Sequence, residues 1–129
     1  MPLTYRIDHS RRLVLVVAHG VLSPDDMFIY QREVWSRTEV VGYAELVDMT
    51  EVEELGNPSA ARIHSLAKLA AGMDQPGRSA KFAIVAPQDE IYGLGRMYEA
   101  YRDSIPESTK RVAVFRDRES ALAWLAESG

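Results

Sequence analysis

The chain has 129 residues with 15 basic and 19 acidic side chains, a net charge of −4, and a composition that is 47% hydrophobic and 26% charged. That is the size and balance of one globular domain, residues 1–129, with apolar material for a single core. With no cysteine, disulfides, thiolate metal sites and cysteine nucleophiles are excluded, and basic runs no longer than pairs such as Arg11-Arg12 and Lys110-Arg111 give none of the basic stripe a nucleic-acid binder needs.

No apolar run approaches the roughly 18–20 residues of a membrane span. The opening MPLTYRIDHS lacks a signal-peptide pattern. The expectation is a cytoplasmic protein.

Thr4 to Asp8 reads as a strand with Tyr5 and Ile7 on one face. His9 to Arg12 is a polar turn, and Leu13 to Ala18, LVLVVA, is a continuous β-branched run suited to a strand covered on both faces. The short turn makes these two an antiparallel hairpin. Gly20 and Val21 are expected to leave the sheet. Ser23-Pro24-Asp25-Asp26 then opens a helix: Ser23 caps it, Pro24 suits its first position, and the aspartates favour the positive end of its dipole. Leu22 and Met27 have the spacing of a hydrophobic staple. The helix is expected to reach about Arg37, with Met27, Tyr30, Gln31, Val34 and Trp35 forming an apolar face with one polar interruption.

The central strand is Ala44 to Met49, with Leu46 and Val47 at its core and Asp48 where it leaves the sheet. Thr50 and Glu51 follow on the exit loop. Asn57-Pro58-Ser59 opens a second helix that buries Ile63, Leu66, Ala67 and Ala70 and stops at Gly72. Gln75 to Arg78 is loop. Lys81 to Ala86 is a buried strand broken by Pro87, and Asp89 caps a third helix from about Glu90 to Ser104. Val112 to Phe115 is the last strand. Asp117 caps a final helix whose Ala121, Leu122, Trp124 and Leu125 face the core.

The third helix carries more apolar surface than one sheet face requires. Ile91, Leu94, Tyr98 and Tyr101 serve its own core. Tyr92, Gly93, Met97 and Ala100 lie partly outside that stripe, and Gly93 and Gly95 each cost about 1 kcal/mol relative to alanine inside a helix, which a close backbone approach would offset. The flank fits another helix of the same chain, a different protein or lipid, or a second copy. Two-fold pairing is the commonest oligomeric arrangement, and the expectation is a homodimer through Tyr92, Gly93, Met97 and Ala100.

The order β-β-α-β-α-β-α-β-α implies a mixed, mostly parallel five-stranded sheet with four main helices and right-handed crossovers. Ligands of such sheets bind beyond the carboxyl ends of the strands. The residues expected there, and hence the candidate binding residues, are Asp48, Thr50, Asn57, Ser59, Gln88 and Asp89. The acidic run Asp48, Glu51, Glu53 and Glu54 reads as a solvated loop, since it lacks a metal-loop pattern. His9, His19 and His64 are scattered, with no zinc-site spacing. No nucleophile–base pair, GxSxG elbow or phosphate loop is present, and Gly93-Leu94-Gly95 lies within a helix. No metal or cofactor is expected.

The stretch LVDMTEV followed by a helix start near Ser59 resembles the anti-sigma-factor-antagonist (STAS) superfamily, in which a strand of the form L-D-L-S-x-V leads into a D-S-S-G-like helix start. VFRDRESALAWL and APQDEIYGLGRMYEAYR are similar to the corresponding segments of the SpoIIAA-like (STAS/SEC14-type) small bacterial proteins. The resemblance spans nearly the whole chain. It implies a STAS-type α/β fold and places a candidate phosphoacceptor at Ser59 under one gap placement, at Pro58 without a gap. The family implies no assigned biochemical activity. Two functional readings follow: a non-enzymatic regulatory or interaction module binding a protein partner or an apolar small molecule, or an enzyme of unrecognised type using Asp48, Thr50 and Asp89 at the strand-end edge.

Overall fold

The computed structural model describes residues 2–76 and 79–127; Gly77 and Arg78 of the expected loop lie outside them. Strands β1 (Leu3–Asp8), β2 (Leu13–Leu22), β3 (Ala44–Leu55), β4 (Lys81–Val85) and β5 (Arg111–Phe115) form one sheet in the order β1-β2-β3-β4-β5. The β1–β2 hairpin is antiparallel and every later pairing is parallel. The helices are α1 (Pro24–Trp35), α2 (Ala60–Met73), α3 (Asp89–Ser104) and α4 (Arg118–Ala126), with a 3-10 turn at Thr38–Val40.

The strand order explains the layers. Each parallel strand is laid down on the same side of the previous one, so three right-handed crossovers put α1, α2 and α3 on a single face. That face holds the larger core, with Val14, Val16, Val47, Phe82 and Ile84 of the sheet meeting Tyr30 and Val34 of α1, Leu66 and Ala67 of α2, and Ile91 and Tyr98 of α3. Among the described residues, α4, which follows the last strand, covers the other face, where Leu13, Leu15, Leu46, Ala83 and Val85 pack against Ala121, Leu122, Trp124 and Leu125.

The helix starts follow the local chemistry. Ser23 and Asp26 form a capping box at α1, Ser59 Oγ accepts from Arg62 N at 3.1 Å at α2, and Asp117 accepts from Ser120 N at 2.7 Å at α4. Several expected boundaries move. The 3-10 turn takes over after Trp35, and α2 runs through Gly72 to Met73. Asp89 is the first residue of α3 rather than its cap; Gln88 occupies the cap position and makes no side-chain capping bond.

The largest correction concerns β2 and β3. Gly20 and Val21 do not leave the sheet, and Thr50 and Glu51 are not on a loop. Both strands run on as a ribbon that ends with Leu22 opposite Leu55. Two register shifts, between Val17 and His19 and between Gly20 and Val21, bend it, and Gly20 supplies the left-handed φ of 69° one of them uses. The two glycines of α3 also part company. A Cβ at Gly95 would sit 3.2 Å from both Val114 methyls, so Gly95 is the site of close approach, onto β5. Gly93 faces open space.

Candidate functional site

The six strand-end residues do not assemble into one site. Asp48 is buried on the α4 side of the sheet. Its Oδ1 accepts from Thr50 N at 2.9 Å and Thr50 Oγ1 at 2.5 Å, and its Oδ2 accepts from Arg118 Nη1 at 3.0 Å. Asn57 is exposed with a left-handed φ of 52°. Ser59 is exposed and engaged as the α2 cap. Asp89 projects into solvent, 95% exposed, paired with Arg116 at 2.6 Å. Gln88 Nε2 reaches the carbonyls of Met49, Thr50 and Val52 at 3.3, 3.3 and 3.0 Å, so it ties the head of α3 to the outer half of β3.

The cavity lies on the other side of the sheet, beneath α1, α2 and α3, and has a volume of about 90 Å³. None of the six candidates lines it, although their neighbours Met49, Gly56 and Pro58 do. Its half-buried and exposed lining residues, among them Ser23, Met49, Leu55, Gly56, Pro58 and Leu94, lie at the carboxyl ends of β2 and β3 and in the opening turns of the helices. Its most buried ones, Tyr30, Gln31, Glu45, Leu66, Phe82 and Tyr98, lie towards the amino ends of the strands. The space is therefore a slot that opens at the carboxyl edge and narrows to a floor.

The walls are aliphatic and aromatic; the floor is polar. Glu45, the second residue of β3, accepts from Tyr30 Oη at 2.6 Å, Trp35 Nε1 at 3.2 Å and Lys110 Nζ at 3.0 Å. The Lys110 ammonium also stands 3.2 Å from the centre of the Trp35 ring. Beside this group, Arg102 bonds Asp74 at 2.5 Å, Tyr98 Oη at 2.8 Å and Ser108 Oγ at 2.7 Å. Asp74 further accepts from the backbone amides of Thr109 and Lys110.

Burial shapes the titration of these groups. It pushes Tyr98 up to about 12, with Arg102 pulling the other way. It lifts Tyr30 well above the usual phenol value, helped by the Glu45 charge. It draws Lys110 down, against the pull of Glu45. At neutral pH the floor thus holds two neutral phenols, beside the Glu45–Lys110 and Asp74–Arg102 contacts. Polar residues singled out at the strand ends gave no signal for this site, because its walls are core residues. The one legible mark was Gln31, a polar residue within the apolar face of α1.

No known protein-family profile matches the sequence, and no curated protein is similar to it in sequence. Among solved structures, the chain is similar to an uncharacterised protein of the DUF3478 family from Shewanella loihica PV-4, described as having a SpoIIAA-like fold. The two share 18% identity with a TM-score of 0.62 over 96% of this chain and 94% of that one. The fold is SpoIIAA-like, a mixed and mostly parallel five-stranded sheet with four helices.

Proposed function

We propose that the chain is a non-enzymatic binding module that takes up a small apolar molecule in the slot beneath α1, α2 and α3. The observation that carries this reading is the slot itself: an apolar volume of about 90 Å³, open at the edge of the sheet where ligands of such folds enter. A cavity of about 150 Å³ lined by leucine, isoleucine and phenylalanine stays dry and accepts benzene in another protein; this one is smaller but open at its mouth, so it suits a short chain or a single ring that reaches into the mouth. The strand-end enzyme reading finds less support, since Asp48 is bonded to Thr50 and Arg118, and Asp89 to Arg116.

The test is a titration with benzene followed through the methyl resonances of Ile84, Ile91 and Leu66. Saturable shifts at these three, abolished by Leu94→Trp at the half-buried wall, are expected. Unsaturable or absent shifts in the unmodified protein reject the reading.

A regulatory role adds two elements to it. Ser59 is an exposed serine at a helix N-terminus, where a phosphate would meet free amides and a favourable dipole. Unmodified Ser59 in native protein under all growth conditions, together with unchanged partner binding by Ser59→Asp, removes that element. Self-association through α3 would use Gly93 and Ala100, both exposed, with Tyr92 and Met97 half-buried beside them. A mass near 14.5 kDa in sedimentation equilibrium rejects the pair.

A further inference from the structure

The floor of the slot contains one polar side chain with few partners, Gln31, whereas the one fully buried side-chain oxygen without a partner among the described residues is Gln88 Oε1, away from the slot. Gln31 is 7% exposed and lines both the slot and a second cavity of about 30 Å³ at the opposite edge, so it stands in the wall between them. Its Nε2 reaches only the Met73 sulfur, at 3.6 Å, a weak acceptor. Among the described residues, no group donates to its Oε1. An apolar ligand that sealed the slot would strip this amide of water, a cost that a hydrogen-bonding ligand avoids. Nearby, the Tyr98 hydroxyl accepts from Arg102, and no described residue accepts its proton.

The charged groups of the floor are closed. Glu45 is paired with Lys110 and Asp74 with Arg102, and every one of these side chains is buried or nearly so. Among the described residues of the floor no cation is left over for an anionic head group, and a carboxylate brought there would be buried beside Glu45 without a counter-charge. What the floor lacks is a neutral group that both donates and accepts: a donor for Gln31 Oε1 and an acceptor for the Tyr98 hydroxyl or the second Gln31 N–H. A hydroxyl supplies both.

We infer that the ligand is a small apolar molecule bearing one uncharged hydroxyl, such as a simple phenol or short-chain alcohol, bound with the hydroxyl against Gln31 and the hydrocarbon towards the mouth. This rests on the binding-module reading and adds the polar end of the ligand to it. Gln31 is then the residue that sets specificity, since a site built around a hydrogen bond rejects the analogue that lacks it.

The experiment compares benzene, phenol and benzoate at neutral pH by calorimetry and by methyl shifts, in the unmodified chain, in Gln31→Met and in Gln31→Leu. Met is close to Gln in size and shape, so the packing of α1 is retained, and benzene affinity reports the integrity of the cavity. Phenol is expected to bind about tenfold more tightly than benzene and than benzoate in the unmodified chain. Both variants should reduce phenol to the level of benzene and leave benzene within about twofold. Phenol no better than benzene, benzoate as good as phenol, or a preference for phenol that survives Gln31→Met overturns the inference while leaving the apolar site standing. Failure of benzene and phenol alike to bind removes both.

Discussion

Glu45 is the residue on which the floor of the slot depends. Its side chain is 3% exposed and that of its partner Lys110 is 11% exposed, so removing one leaves the other charged and largely out of water. Breaking such a pair costs about 3–5 kcal/mol, whereas replacing both partners by apolar residues of similar size is often close to neutral. Glu45→Leu should therefore lower the urea unfolding free energy by about 3 kcal/mol, and Glu45→Leu with Lys110→Met should recover at least half of that. A neutral Glu45→Leu contradicts the pairing. The tyrosines of the same floor set the alkaline limit. Burial raises Tyr98 to about 12 and Tyr30 well above 10. A group whose pKa is raised by folding contributes stability below its unfolded value and loses it as pH climbs to the folded one. Each tyrosine should thus cost up to about 1.4 kcal/mol per pH unit above pH 10. Lys110, lowered by burial, acts with the opposite sign, adding stability as pH rises towards its unfolded value near 10.5. Stability should hold to about pH 10 and then fall, with part of the tyrosinate absorbance at 295 nm appearing only as the protein unfolds. A full tyrosinate signal before unfolding contradicts this.

At the scale of the element, the sequence was legible wherever hydrophobic period and capping residues agreed. LVLVVA and KFAIV lie in strands covered on both faces, with Ala86 just beyond the second, and Ser23, Ser59 and Asp117 cap helices as their neighbours require. The outer half of β3 was not legible. TEVEEL has three exposed acidic residues and buries only Val52 fully, so its periodicity is that of a solvated loop. What makes it a strand is tertiary: pairing with β2 on one side and, on the other, the Gln88 amide spanning three carbonyls where β4 has already ended. Gln88→Ala should release those carbonyls and let the ribbon fray. The expected outcome is amide hydrogen exchange about tenfold faster at His19–Leu22 and Glu51–Leu55, with Leu46 and Val47 unchanged, and a loss of about 1–2 kcal/mol in stability. Unaltered exchange in the ribbon shows that β2 alone holds it.

Across the whole molecule, the monotonic strand order separates stability from the slot. Three helices on one face and one on the other give two cores divided by the sheet. The slot belongs to the first core alone, and its walls could not be told from ordinary core residues by sequence, because a cavity is an arrangement of such residues and not a composition. The division makes an asymmetric prediction. Leu46 is fully buried on the α4 side, and Leu66 is buried on the slot side and lines it. Truncation of either leucine to alanine costs about 2–5 kcal/mol, depending on how far the site collapses. Leu66 already borders open space, so its removal enlarges a cavity that exists, whereas removal of Leu46 opens a new one beneath α4. Leu46→Ala should therefore reduce stability and leave benzene binding within about twofold, while Leu66→Ala should reduce stability and shift the slot's preference towards larger rings such as naphthalene. Equal effects of the two substitutions on ligand binding would show that the sheet transmits packing changes from one face to the other, and that the two cores behave as one.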